Sequence, residues 1–201
     1  MNILAHAYLS GRHTEVIIGN FMGDFIKGDP TGSRHQLTPG VIAGVRLHRA
    51  IDTFTDAHPD VAAVRDLLHP RCHKYAGAAV DVFFDYFLAV DFQRLTGESF
   101  AVFVSQFYQT LRHNETRLLP VAARMADYMI RQDWLTNYQF TDGIDRSLKG
   151  IARRTAYPSG LDTVVEDLDR YHDRIAQHFQ YFWPALVAHC QQIRTNLMAY
   201  L

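Results

Sequence analysis

Two pairs of ionisable side chains have a spacing that suits the binding of a metal ion. His48 and Asp52 lie four residues apart, and Asp81 and Asp85 repeat that spacing in a later, mostly apolar segment. On a helix, residues four apart point to the same side. Two buried carboxylates on one face repel each other unless a cation or a proton compensates, so a divalent metal would satisfy both pairs. The structural alternatives are a surface His–Asp hydrogen bond and a pair of capping or salt-bridged aspartates.

Three more residues near the amino terminus could contribute to the same centre. His6 is the polar residue of an apolar segment, Asp24 closes a Gly-Asn-x-x-Gly-Asp motif, and His58 stands directly before a proline. Taken alone, His6 and Asp24 are better explained as structural residues with satisfied hydrogen bonds. Taken together, nitrogen and oxygen ligands of these types suit Mn²⁺, Mg²⁺ or Fe²⁺ and not a thiolate zinc site.

The segments that carry these residues have the three-to-four-residue apolar periodicity of helices, and sustained two-residue alternation is absent. We therefore expect an all-α fold, with one compact domain over residues 1–201. Gly19 and Gly23 should permit a second helix to approach closely. Thr38 and Pro39 form a helix start, Pro59 and Pro70 should mark boundaries, and Pro184 should kink or end the last helix. The predicted helices are 2–10, 13–26, 39–56, 59–68, 73–96, 98–116, 118–133, 136–152 and 160–199.

Composition narrows the classes of function. A formal net charge of −1 argues against a general nucleic-acid binder, because affinity for the phosphate backbone comes from clustered Lys and Arg. Two distant cysteines, Cys72 and Cys190, indicate neither a disulfide framework nor a thiolate metal site. The chain shows no signal-peptide pattern and no apolar run that would span a bilayer. We therefore expect a cytoplasmic protein that does not enter a membrane.

Four motifs, in order along the chain, carry a resemblance to a known family. They are Asn-x-Leu-Ala-His from Asn2, Gly-Asn-x-x-Gly-Asp-Phe from Gly19, Gly-x-Arg-Leu-His-Arg-x-Ile-Asp-x-Phe-Thr-Asp-x-His-Pro from Gly44, and Asp-Val-Phe-Phe-Asp-x-Phe-Leu from Asp81. Together they resemble the bacterial acyl carrier protein phosphodiesterase family. The resemblance implies an all-helical, HD-domain-like enzyme that removes 4′-phosphopantetheine from holo acyl carrier protein and prefers manganese. HD enzymes carry an adjacent His-Asp dyad, whereas this chain has His48-x-x-x-Asp52, so the ligand set stays open.

The resemblance and the residue types together suggest roles for individual side chains. His48, His58 and Asp24 are candidates for proton transfer, and a cationic side chain is expected to stabilise charge on the phosphoryl group. We expect the metal ligands to come from His6, Asp24, His48, Asp52, Asp81 and Asp85. The candidates for the cationic group are Arg46, Arg49 and Lys74.

Four basic residues at helical spacing form a further candidate substrate-binding surface. Arg146, Lys149, Arg153 and Arg154 would make one positive stripe, which we call the basic stripe. An acidic carrier protein or its phosphate arm could dock there, and an ordinary exposed helical face is the alternative.

Two rival functions remain open at this point. The first is an HD-type phosphohydrolase that acts on a nucleotide or another small phosphoester, because a fold and a metal site do not determine the substrate. The second is a non-enzymatic helical protein that binds a metal or a cofactor.

Overall fold

The computed structural model describes residues 2–199, apart from the side chain of residue 198, and this part of the chain is helical without a β-strand. The all-α prediction is confirmed. None of the helices in residues 2–199 is long and apolar enough to cross a membrane. The α-helices are α1 (Ile3–Leu9), α2 (Thr14–Phe21), α3 (Pro39–Ala57), α4 (Pro59–Cys72), α5 (Ala76–Val90), α6 (Phe92–Thr96), α7 (Phe100–His113), α8 (Pro120–Arg131), α9 (Trp134–Asn137), α10 (Thr141–Ala152), α11 (Val165–Arg170) and α12 (His172–Met198).

The crossing of α2 and α3 is the closest helix contact near the predicted centre, and glycines make it possible. A Cβ atom on Gly19 would lie 2.1 Å from the carbonyl oxygen of Val41, and one on Gly44 would lie 2.3 Å from that of Val16. A Cβ on Gly23 would lie 2.1 Å from the His48 ring. Gly19 and Gly44 require glycine because the backbone atoms they face cannot yield, and Gly23 requires it because the base of the buried His48 ring occupies the space of a Cβ. The predicted close approach at Gly19 and Gly23 is confirmed.

Helix α12 lies behind this crossing and packs against α1, α3, α4 and α5. Its aromatic residues Phe179, Phe182 and Trp183 are buried in the apolar core that the long helices share. The last helix was predicted to kink or to end at Pro184; it continues through the proline, so the predicted end is wrong, and the kink stays a prediction. Apolar packing on both sides of the proline compensates for the hydrogen bond that the proline cannot donate.

Several helix boundaries differ from the predicted ones. Helix α4 continues through Pro70 to Cys72, because Val61, Val64, Leu68 and Cys72 bury one continuous face. Thr38 precedes α3 as predicted, but its side chain makes no capping bond and interacts with the Glu15 carboxylate instead. The predicted helices 13–26, 73–96, 98–116, 136–152 and 160–199 are each divided into two or more shorter elements. The short pieces include 3₁₀ turns at Gly23–Phe25, His73–Tyr75 and Glu115–Arg117.

Candidate metal centre

Helices α1 and α3 bring two histidines to a single carboxylate. Nε2 of His6 lies 3.1 Å from Oδ1 of Asp52, and Nε2 of His48 lies 3.1 Å from Oδ2 of the same residue. One potential ligand atom from each of the three residues lies within 4.8 Å of the others. Around a metal ion with metal–ligand bonds of roughly 2.1 Å, neighbouring ligand atoms lie roughly 3 Å apart. The three side chains therefore form a group that can hold a divalent metal ion.

Asn20 fixes the orientation of both imidazole rings through their Nδ1 atoms, on the side away from Asp52. Its Oδ1 atom accepts hydrogen bonds from Nδ1 of His6 at 2.8 Å and from Nδ1 of His48 at 3.2 Å. The Asn20 amide nitrogen also donates to the backbone carbonyl of His6 at 3.1 Å, so the buried amide is held on both sides. Because an amide oxygen can only accept, both Nδ1 atoms carry a proton, and both Nε2 atoms are directed toward Asp52. Such an outer partner orients metal-binding histidines in many proteins.

The ionisation of the three residues is strongly coupled. Burial lowers the pKa of His6, and the neighbouring His48 adds to that effect although Asp52 opposes it. Burial also works against a charged His48, but hydrogen bonds to Asp24 and Asp52 outweigh it and raise the pKa of His48 to about 9. Burial would raise the pKa of Asp52, yet the two histidines hold it well below its usual range. Asp52 is therefore an anion at neutral pH.

When His6 is neutral, the contact between its Nε2 atom and Asp52 has no proton in it, and a cation could bind both atoms. Its Nδ1 proton is used by Asn20, so the Nε2 atom presents a lone pair to the ionised Asp52 oxygen 3.1 Å away. Two acceptors at this distance repel each other unless a proton or a cation lies between them. This arrangement fits a divalent metal on chemical grounds.

Asp24 and Asp81 border the same cleft, which has a volume of about 260 Å³ and is also lined by Asp56. Oδ1 of Asp24 lies 3.4 Å from Nε2 of His48, and this contact lowers the pKa of the Asp24 carboxyl. Asp24 reaches this place because the 3₁₀ turn after α2 packs Gly23 against the His48 ring. Asp24 and Asp81 thus line the same cleft as the group, and their roles as ligands stay predictions.

Asp85 occupies a different environment from Asp81, although both belong to α5. Its buried carboxylate accepts hydrogen bonds from the backbone nitrogens of Leu4 at 2.8 Å and Ala5 at 3.2 Å. It therefore binds the first turn of α1, the helix that carries His6. Burial raises the pKa of Asp85 to about 7 against the effect of these two donors. The structure does not bring Asp85 into the cleft, and its predicted place among the ligands has no support from the geometry.

A family model described as acyl carrier protein phosphodiesterase matches residues 1–186. The chain belongs to the acyl carrier protein phosphodiesterase family. It is 31% identical over 192 residues to the protein of that name from Photorhabdus laumondii, and the alignment covers 93% of each chain. The proteins of that name from Klebsiella pneumoniae and Escherichia coli are 29% identical to it, over 93% and 94% of this chain respectively and 96% of each relative. No solved structure matches the chain, and the HD-domain-like arrangement stays a prediction.

In this acyl carrier protein phosphodiesterase family member, His58 lies at the junction of α3 and α4 and not among the residues that line the cleft. Its ring accepts a hydrogen bond from the backbone nitrogen of Asp60, packs against Phe54 and Phe182, and so caps α4. Asp60 in turn accepts a hydrogen bond from His178 at 2.8 Å. These contacts describe a structural cap, and a catalytic role for His58 has no support from the geometry.

The predicted cationic residues also lie outside the cleft. Arg49 donates to the backbone carbonyls of Ile26 and Gly28 at 2.7 Å and so ties the loop after Asp24 to α3. Arg46 is exposed on α3, and the Lys74 ammonium lies 4.4 Å from the centre of the Tyr157 ring. Their contact with substrate stays a prediction.

The basic stripe lies on α10 and its carboxyl end. Arg146 donates to the side chain of Asn137 at 2.8 Å, and Lys149 pairs with Asp145 at 2.6 Å. Arg153 and Arg154 are exposed where the helix ends, close in sequence to Tyr157, which Lys74 contacts. Lys74 and the carboxyl-terminal end of the stripe therefore both lie near the segment that carries Tyr157.

Asn20 belongs to the candidate site, and the sequence interpretation missed it. It appeared only as part of the Gly-Asn-x-x-Gly motif and was not assigned a role. The available signal was a lone amide within the apolar stretch of α2, directly after Gly19. A buried amide must have partners, so this position could have been paired with the nearby histidines.

Proposed function

We propose that the protein is a metal-dependent phosphodiesterase that hydrolyses the bond between 4′-phosphopantetheine and a serine of holo acyl carrier protein, giving apo acyl carrier protein. The observation that carries this proposal is the convergence of the His6 and His48 Nε2 atoms on Asp52, with Asn20 fixing both rings. Membership of the family supports the choice of substrate.

The charge of the cleft supports metal dependence. Asp24, Asp52, Asp56 and Asp81 line it, whereas Lys and Arg are absent from its lining in the described part of the chain. A phosphodiester is an anion, and these carboxylates would repel it unless a cation neutralised them. The nitrogen and oxygen donors suit Mn²⁺, the expected ion, with Mg²⁺ and Fe²⁺ as alternatives.

His6, His48 and Asp52 would hold this ion, with Asp24 or Asp81 as further ligands. When bound, the ion supplies Lewis-acid activation of a water molecule and of the phosphoryl group. Asn20 keeps both imidazole rings in the tautomer that presents Nε2 to the ion. Asp24 is ionised at neutral pH because its pKa is lowered, so a carboxylate oxygen that is not used as a ligand can accept a proton from the attacking water.

The substrate protein would dock on the basic stripe and Lys74. Acyl carrier proteins are the expected acidic partner, and complementary charge would increase the rate of encounter. The salt bridge with Asp145 offsets the charge of Lys149, so Arg146, Arg153 and Arg154 would supply most of the positive charge that meets an acidic helix.

The test is the reaction itself. Purified protein is incubated with holo acyl carrier protein and Mn²⁺, and mass spectrometry follows the loss of the phosphopantetheine arm. We expect complete conversion with metal, none with a chelator, and none by the Asp52→Ala variant. If the carrier protein stays intact while a panel of nucleotides or simple phosphoesters is cleaved, the substrate is wrong. If the protein binds metal without hydrolysing any phosphoester, a non-enzymatic metal-binding function takes its place.

A further inference from the structure

A second cavity adjoins the metal cleft and is much larger, with a volume of about 1200 Å³. It lies between the turn that joins α1 to α2, one face of α7 and the carboxyl-terminal half of α12. Ala7, Ile17 and Phe107 line both the second cavity and the metal cleft. These three apolar side chains therefore lie between the two spaces, and we call them the apolar collar. A ligand with its phosphoryl group in the metal cleft could extend past the collar into the second cavity.

The lining of the second cavity changes character beyond the collar. Helix α7 contributes Gln106, Gln109 and Thr110, and α12 contributes Gln191 and Thr195. These side chains are neutral and can donate and accept hydrogen bonds. The part of the cavity beyond the collar is therefore suited to a neutral polar chain.

Charged groups in this lining are few or already paired. Glu98 is the one carboxylate among the described lining residues, and it accepts a hydrogen bond from Arg12 at 3.1 Å. Arg194 donates to the backbone carbonyl of Leu9 at 3.2 Å, which fixes the wall near the α1–α2 turn. The two guanidinium groups in the described lining, those of Arg12 and Arg194, thus already have partners, which makes this lining a poor match for a nucleotide polyphosphate.

We infer that the second cavity binds the pantetheine arm of the substrate while the phosphodiester lies in the metal cleft. The arm has a quaternary carbon with two methyl groups close to its phosphate, followed by a chain with two neutral amides. This order matches an apolar collar followed by glutamine and threonine side chains. The inference rests on the proposed function, and it specifies which part of the substrate enters the protein.

The volume is consistent with such an occupant. Sites for small organic ligands have volumes of roughly 300–1,000 Å³, so the second cavity has room for the whole arm. The metal cleft, at about 260 Å³, is suited only to the phosphoryl group and its immediate neighbours. The arm would thus add binding energy at a distance from the reacting atoms, which would position the phosphodiester.

The test uses free 4′-phosphopantetheine, whose binding to the Mn²⁺-loaded protein is measured by calorimetry. Thr110→Trp and Gln191→Trp place a bulky ring on opposite walls of the second cavity. Gln192→Trp is the matched control, because Gln192 is also exposed on α12 but lies outside the lining. Mn²⁺ affinity and circular dichroism of each variant report whether its fold and metal centre are intact.

We expect the wild-type protein and Gln192→Trp to bind the probe with the same affinity. The two cavity variants should bind it on the order of 10-fold more weakly or worse, as expected when a central contact is blocked. Equal affinity in all four proteins, or no binding to the wild type at millimolar concentration, would overturn the inference. Failure of the proposed function is seen separately, as holo acyl carrier protein that stays intact with wild-type protein and metal.

Discussion

Asn20 Oδ1 lies 2.8 Å from Nδ1 of His6, and this contact decides which nitrogen of the ring is presented to the cleft. Because the same oxygen also meets His48, one amide controls two potential ligands. We expect Asn20→Ala to weaken Mn²⁺ binding by about 10- to 100-fold, the usual cost of losing an outer partner of metal ligands.

Asn20→Asp retains the accepting oxygen and is the matched comparison. It should keep more of the Mn²⁺ affinity than Asn20→Ala, as measured by calorimetry at constant pH. If both variants bind Mn²⁺ as the wild type does, Asn20 has only a packing role.

The two aspartates of α5 should respond differently to substitution. Asp85→Ala removes the acceptor for two backbone donors of α1, so we expect a loss of about 1–3 kcal/mol in the free energy of unfolding. Asp81→Ala removes a carboxylate from the lining of the cleft and should mainly lower metal-dependent turnover. Urea unfolding and the release of phosphopantetheine measure the two effects. A stable Asp85→Ala protein with low Mn²⁺ affinity would instead make Asp85 a ligand.

Metal binding should depend on pH through His48. Its pKa is raised to about 9 by Asp24 and Asp52, so a proton must leave Nε2 before a metal can bind there. The apparent Mn²⁺ affinity should therefore increase by about tenfold per pH unit as the pH rises toward 9, and then level off. A flat affinity over this interval would contradict the assignment of His48 as a ligand.

The same shift predicts how the stability of the protein without metal varies with pH. The folded pKa of His48 lies above its ordinary value of 6.5, so the folded protein binds more protons between these two values. The contribution of His48 to the free energy of unfolding is fully present below pH 6.5 and is lost as the pH rises through about 9. His48→Ala should lack this part of the dependence, as measured by urea unfolding in the presence of a chelator.

Glycine substitutions test the crossing of α2 and α3. Gly44→Ala would place a Cβ 2.3 Å from the backbone oxygen of Val16, so the helices must separate, at a cost of about 1–3 kcal/mol. Gly150→Ala is the control, because its Cβ would meet nothing within 4 Å on α10. This second change should stabilise the protein by about 0.4–1 kcal/mol. Thermal unfolding of both variants is the measurement, and equal melting temperatures would contradict the argument.

Charge reversal tests the basic stripe as a docking surface. Arg146→Glu together with Arg153→Glu should raise KM for holo acyl carrier protein, with a smaller change in kcat. The lost contacts would have stabilised the bound substrate and the transition state equally. The defect should shrink as salt increases, since the screening length is about 8 Å at 0.15 M. Cleavage of bis(p-nitrophenyl) phosphate reports the metal centre without docking. If the variant loses activity equally on both substrates, the basic stripe has a role in the fold or in the catalytic centre and not in docking.

The sequence predicted the helical class and the pairing of His48 with Asp52 because both depend on local spacing. His48 and Asp52 share a helix face, and their i, i+4 geometry is preserved in the structure. His6 joins them through the packing of α1, which the apolar pattern suggested without specifying the partner. The spacing of Asp81 and Asp85 was equally regular, yet it could not distinguish a residue of the cleft from a residue that binds the backbone of another helix.

Other features depend on contacts between distant segments. The capping role of His58 and the accepting role of Asn20 follow from neighbours that the linear pattern does not specify. The continuation of α4 beyond Pro70 depends on tertiary packing that outweighs a local penalty. The second cavity is formed by the α1–α2 turn, α7 and α12, so no single segment indicates it.

The position of α12 has a consequence for the synthesis of the protein. His6, His48 and Asp52 are synthesised well before α12, yet α12 packs on both α1 and α3. The helices that carry His6 and His48 therefore complete their packing only after α12 has emerged from the ribosome. A nascent chain that stalls before α12 would expose an apolar face of α3, and we expect it to depend on chaperones and to acquire metal only after α12 has packed.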